Sequence, residues 1–167
     1  MKSVTELYRS AKASGLSILQ RDQFKVRPFS ATALEGSLLF EIPVYSFSRS
    51  ITFDTKILFT PVTYITEDQY TRNHNTARVK INGVWYYYVT PTLYSTVQVS
   101  CTCENYKYTW AYYNAGVGSH YGELPHIDPP KGVRPPRNPQ HLPGMCKHLY
   151  NAFNGLYGMA NCELPSF

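Results

Sequence analysis

Cys101-Thr102-Cys103 and Cys146-Lys147-His148 are two tight pairs of metal-ligating side chains, with 42 residues between Cys103 and Cys146. If the pairs act together, the fold must bring two distant parts of the chain to one point. A Cys-x-Cys pair cannot close on itself without strain, so its thiols look elsewhere for a partner. At the end of the apolar run Val97–Ser100, residues i and i+2 point to the same side of a strand. Cys146 and His148 have the same spacing at the start of a helical pattern, and Pro143-Gly144 supplies a turn before them. Three thiols and an imidazole are a full tetrahedral ligand set for zinc. Plain buried thiols and a disulfide arrangement are the alternatives that the residue types leave open. Zinc is favoured by the paired spacing and by the reducing compartment expected for the chain.

The energies agree with a structural ion. Zinc binding in small finger peptides is worth about 10–16 kcal/mol, and closing the loop between the pairs costs on the order of 3–5 kcal/mol. Four protein ligands would leave no open position for water or substrate, so Lewis-acid catalysis is not expected.

The 167 residues suit one domain, or one domain with an arm, and contain no apolar stretch long enough for a membrane span. Met1–Glu6 lacks the apolar core of a secretory signal, so cytoplasmic synthesis is expected. Tyrosine occurs 15 times, which suits sheets and interfaces. The net charge of +5 is uneven, with +4 over residues 1–30 (six Lys/Arg, two acids) and +3 over residues 129–167 (four Lys/Arg, one acid). Basic ends on a neutral body can meet nucleic acid or acidic protein surfaces.

Residues 3–14 are predicted as a helix. Ser3 and Glu6 have the capping-box spacing, Val4, Leu7, Tyr8 and Ala11 share one face, and Gly15 is a stop. Residues 1–37 are read as this helix plus an extended arm. Residues 38–100 are read as an antiparallel β region, with runs Leu38–Phe47, Ile51–Tyr64, Ala77–Ile81, Val84–Thr90 and Leu93–Ser100. Asn82-Gly83 predicts a type I′ hairpin, and Leu93–Ser100 is expected to return and pair with Val84–Thr90. Pro43, Pro61 and Pro91 are expected at bulges, strand ends or edges. Helices are predicted over 104–115 and 146–156. Between them, residues 116–145 form an insert with five glycines and seven of the twelve prolines, expected to follow a stiff, extended path. Residues 157–167 are a C-terminal tail. The fold class is therefore α+β: an antiparallel sheet, a zinc-stapled unit and two short C-terminal helices.

A hairpin, then a strand ending in Cys-x-Cys, an insert, and Cys-x-His opening a helix resembles the SWIM-type zinc finger over residues 77–156. The insert is longer than that family's usual spacer. The resemblance implies Cys101, Cys103, Cys146 and His148 as zinc ligands. More narrowly, Cys-x-Cys before an aromatic-rich helix with Asn114, followed by Asn138-Pro139 and Pro143-Gly144-Met145-Cys146-Lys147-His148-Leu149, resembles uncharacterised structural proteins of tailed bacteriophages. That implies a virion component made in the host cytoplasm.

No phosphate-binding Gly loop, nucleophile elbow or His-Glu-x-x-His motif occurs. No enzyme activity and no small-molecule substrate are expected. The expected function is that of a non-enzymatic, zinc-stabilised structural protein in a multi-subunit assembly. The alternative is a SWIM-like module that binds DNA or RNA. Leu19, Phe24 and Phe29 of the arm, and Arg134 and Arg137 of the insert, are candidate partner contacts. His120, His126 and His141 are read as loop histidines, and Cys162 as a free or buried thiol. Because residues 38–90 have an apolar pattern of their own, Cys146→Ser is expected to loosen the insert and last helix before the sheet.

Overall fold

The computed structural model describes residues 1–14, 23–70, 76–126, 138 and 140–158. Their elements in chain order are β1 (Lys2–Ser3), α1 (Val4–Ala13), β2 (Phe24–Val26), β3 (Ser30–Leu34), β4 (Ser37–Ser46), β5 (Ile51–Phe59), β6 (Tyr64–Ile65), β7 (Thr76–Ile81), β8 (Val84–Val89), β9 (Thr96–Cys101), α2 (Glu104–Thr109), α3 (Ala111–Gly116) and α4 (Lys147–Gly158). A 3-10 turn covers Glu67–Gln69. The architecture is α+β, with two antiparallel sheets. In the larger, β1-β9-β5-β4-β2 are neighbours in that order and β3 also pairs β4; in the smaller the order is β6-β8-β7.

Alternation along the strands builds the core. Leu38, Phe40, Ile42 and Val44 of β4 stand opposite Phe59, Ile57, Thr55 and Phe53 of β5. Phe59, Ile57 and Thr55 in turn face Val97, Val99 and Cys101 of β9. All of these are buried, whereas the opposite face carries the exposed Glu41–Lys56 ion pair at 2.8 Å. Alternation thus places Cys101 on the apolar side of the sheet. The helix α4 lies across this side, in contact with β2, β4, β5 and β9. Its Leu149, Ala152 and Phe153 are fully buried, and Tyr150 stacks on Tyr8 of α1 with ring centres 5.6 Å apart. Gly155 allows α4 to approach β2 closely: a Cβ there would stand 2.8 Å from Val26 Cγ2. Sheet and last helix therefore share one core, so loosening the helix is expected to loosen the sheet with it.

The capping box of α1 is present. Glu6 N–H donates to Ser3 Oγ at 3.3 Å, and Ser3 N–H donates to Glu6 Oε2 at 2.8 Å. The Ser3 backbone bond, helped by Lys2, holds the Glu6 carboxyl down from its ordinary 4.5 to about 2. A depressed folded-state value means that this cap contributes stability above about pH 4.5 and loses it as pH falls toward 2. An NMR titration of Glu6 is expected to give a midpoint near 2. Ser3→Ala, which keeps the backbone N–H, is expected to raise that midpoint only slightly; a return to the ordinary value would remove the backbone bond as its main cause.

The arm lies back on its own sheet. Residues 24–26 and 30–34 are strands on β4, because the open edge of β4 offers backbone partners. Phe24 is 9% exposed, covered by its own chain, and Phe29 packs on Phe40 at 6.1 Å. Pro43 lies within β4, opposite Asp54, rather than at a bulge or end. It falls in the gap between the β2 and β3 pairings, where its carbonyl accepts from Arg27 N–H at 2.9 Å. A residue's N–H and C=O point to the same side of a strand, so proline here removes no ladder bond.

The Asn82-Gly83 hairpin forms, with both residues at positive φ (49° and 87°). The expected pairing of the ninth strand does not. The β9 strand pairs with β5 and β1, while β8 pairs with β6 and β7 in the second sheet. The deciding factor is the apolar face. Val97, Val99 and Cys101 need to line up with Phe59, Ile57 and Thr55, which a hairpin with β8 would prevent. The helix predicted over 104–115 is broken at Trp110 (φ −119°), giving α2 and α3. No helix among the described residues is long and apolar enough to cross a membrane.

Candidate metal centre

Three elements deliver four donors to one point. Cys101 ends β9 on its buried face. Thr102, between the two cysteines, is pinned to β5: its N–H donates to Asp54 O at 3.1 Å, and its hydroxyl accepts from Asp54 N–H at 3.0 Å. The chain then turns inward, and Cys103 becomes the N-cap of α2, its sulfur accepting from Tyr106 N–H at 3.3 Å. Cys146 stands in the equivalent place before α4. Its carbonyl accepts from Tyr150 N–H at 3.0 Å, and its sulfur accepts from Leu149 N–H. Both thiols therefore sit at helix starts, where free N–H groups favour negative charge. His148 follows within the first turn of α4.

The Sγ atoms of Cys101, Cys103 and Cys146 and a ring nitrogen of His148 lie within 4.8 Å of one another, and all four residues are buried. His148 Nδ1 is 3.8 Å from Cys101 Sγ. Ligand edges around a zinc-sized ion, from metal–sulfur and metal–nitrogen lengths of about 2.3 and 2.0 Å, are about 3.5–3.8 Å. The cluster can thus hold a metal ion with little adjustment. No disulfide joins the three cysteines. Burial pushes the thiols of Cys101 and Cys146 up. Cys103 is held low by bonds from Cys101 and Cys146, with His148 adding to the effect. One thiolate is thus favoured by the cluster's own bonds, and a bound dication would ionise the other two.

The imidazole is positioned by rings. Phe53 stacks on His148 with centres 4.1 Å apart, and Phe24 meets it edge-on at 5.0 Å. Its Nε2 is buried with no hydrogen-bond partner among the described residues. Ligating histidines usually donate this second N–H to an oxygen; here two aromatic walls do the orienting. Lys147 places its ammonium 5.1 Å from the centre of the Phe24 ring. Phe24, expected as a partner anchor, is a wall of the cluster instead.

The insert is fastened at both ends. Val99 N–H donates to Ser119 O at 3.0 Å, and Tyr121 N–H donates to Val99 O at 3.1 Å. At the far end, Asn114 grips Gly144 twice: its Nδ2 donates to Gly144 O at 2.9 Å and its Oδ1 accepts from Gly144 N–H at 2.8 Å. Asn138, also buried, donates to Thr109 O at 3.2 Å and Leu142 O at 2.7 Å. Asn114 and Asn138 were noted in the sequence only as parts of a motif; buried side-chain amides that satisfy backbone groups explain them.

All four predicted ligands come together. His120 lies apart from them, its Nδ1 2.9 Å from Tyr106 Oη and its ring stacked on Tyr106. His141 stacks on Tyr113. Leu19, Arg134, Arg137 and Cys162 lie outside the described residues. Comparison with protein families, curated proteins and solved structures finds no match. The SWIM and phage resemblances therefore stand on the residue pattern alone.

Proposed function

We propose that the cluster holds one structural zinc ion and that the chain is a non-enzymatic structural protein of a multi-subunit assembly, a tailed-phage virion component. The carrying observation is the burial of a Cys3His set brought together at the end of β9 and the starts of α2 and α4. Soft thiolates with one imidazole suit zinc, and four protein ligands close its coordination. An ion so placed ties the last core strand to the helix that covers it and offers no site for a substrate. The assembly reading is supported by large apolar side chains left in water, among them Phe47, Ile51, Tyr94 and Tyr112. The virion assignment adds only the resemblance of the Cys-x-Cys and Pro-Gly-Met-Cys-Lys-His pattern.

Elemental analysis of native, reduced protein is expected to give about one zinc per chain. A metal-free protein with full stability, or a disulfide within the cluster, would refute the ion. Native material is expected to co-purify in multi-copy particles; a stable free monomer in the infected cell would refute the assembly role while leaving the zinc site intact.

A further inference from the structure

The smaller sheet has one face that the core does not use. Ala77, Val79, Tyr64 and Tyr88 turn toward the core. The opposite face carries Arg78 and Lys80 of β7 beside Trp85 and Tyr87 of β8, with Lys80 directly across from Trp85 and Arg78 across from Tyr87. The Arg78 guanidinium lies 4.6 Å from the Trp85 ring centre and the Lys80 ammonium 5.8 Å from it. Tyr70 lies flat on Tyr87, centres 4.0 Å apart and planes 10° from parallel. Trp85 is 43% exposed, whereas the other tryptophan, Trp110, is 1% exposed. Strands β6, β7 and β8 carry two cations and no acid. Glu67 and Asp68 follow β6, on the edge of the sheet away from β7.

We propose that this face binds single-stranded nucleic acid. Bases stack on the Trp85–Arg78 layer and on the Tyr70–Tyr87 pair, and the phosphates run along Arg78 and Lys80. The charge identifies the partner: a row of cations beside a row of flat rings fits a chain of anions that carries flat bases. Spacing selects a single strand. Trp85 and Tyr87 are two residues apart, about 6.8 Å along the strand, whereas stacked nucleotides advance about 3.4 Å. Neighbouring bases reach both ring layers only when pulled out of a helical stack. None of the residues of this face is a candidate metal ligand, so the proposal does not rest on the zinc assignment.

The test uses the full, metal-loaded chain and a fluorescently labelled oligothymidylate, read by anisotropy and by tryptophan emission. Because Trp110 is buried, quenching on binding reports Trp85. Trp85→Ala is expected to weaken binding on the order of tenfold, while Trp85→Phe, which keeps a ring face, retains most of it. Replacing Arg78 and Lys80 together with alanine is expected to lower the slope of log affinity against log salt by about 1.4, two single-strand phosphate contacts. Unchanged melting temperature and metal content in each variant keep folding out of the comparison. Equal binding by Trp85→Ala, equal binding of duplex and single strand, or no salt-sensitive binding by the native chain would overturn the proposal. In the last case, protection of Trp85 from a soluble quencher only in a protein assembly would mark the face as a protein contact.

Discussion

Cys146→Ser is expected to abolish tight metal binding and to lower protection from hydrogen exchange in β4, β5 and α4 together. The cause is the position of α4. Its Leu149 and Phe153 complete the core that Leu38, Ile42, Ile57 and Val99 begin, so the helix cannot detach without exposing the sheet. Losing a metal belongs to the few single changes that cost more than about 4 kcal/mol. A domain's whole stability is about 5–15 kcal/mol, so the variant should lose a large fraction of it and melt at a clearly lower temperature. Exchange with α4 exposed and β4–β5 still fully protected would show that the sheet stands alone. Chelation of the native protein should reproduce the variant, and re-adding zinc should restore only the native chain.

The second large effect is expected from Gly144→Ala. A Cβ at this position would lie 2.6 Å from Cζ3 and 2.7 Å from Cε3 of Trp110. Trp110 is buried, and its indole N–H donates to Asn105 Oδ1 at 3.3 Å, so the ring cannot swing away cheaply. Overpacking of this kind costs about 1–3 kcal/mol. Moving the backbone instead would break the two hydrogen bonds to Asn114, leaving buried N–H and C=O groups at about 1–3 kcal/mol each. Either way Cys146, two residues on, shifts from its place. We expect a loss of about 3 kcal/mol together with weaker metal retention in a chelator competition. Trp110→Leu removes the clashing ring atoms. In a double-mutant cycle, Gly144→Ala should therefore cost clearly less in the Trp110→Leu background. Equal costs in both backgrounds would exclude the clash.

Short-range chemistry was legible in the sequence where it is self-contained. The Ser3–Glu6 box and the Asn82-Gly83 turn each fix their geometry within a few residues, and both formed. The Cys3His cluster that could hold a metal was legible because three thiols and an imidazole in paired spacing have few other uses. Pairings decided by distant partners were not. Which strand β9 joins depends on matching its apolar face to Phe59 and Ile57, some 40 residues away. The strands β2 and β3 are short and separated by Pro28, and only the free edge of β4 gives them a reason to be strands. The aromatic walls around His148 come from Phe24 and Phe53, whose spacing along the chain says nothing of an imidazole between them. Gly144 and Asn114 gave a weak signal, since a glycine beside proline reads first as a turn.

The order in which the ligands occur along the chain sets a timetable for synthesis. Cys101 and Cys103 leave the ribosome well before His148, which lies 45 positions after Cys103 (148 − 103 = 45). At about 5–20 residues per second, the first two thiols wait roughly 2–9 s for their partners. Over the same interval the apolar face of β4, β5 and β9 lacks α4 as its cover. Residues 146–158 thus deliver the missing donors and the missing lid in one event. Until then the growing polypeptide carries two unligated thiols and an uncovered apolar sheet face.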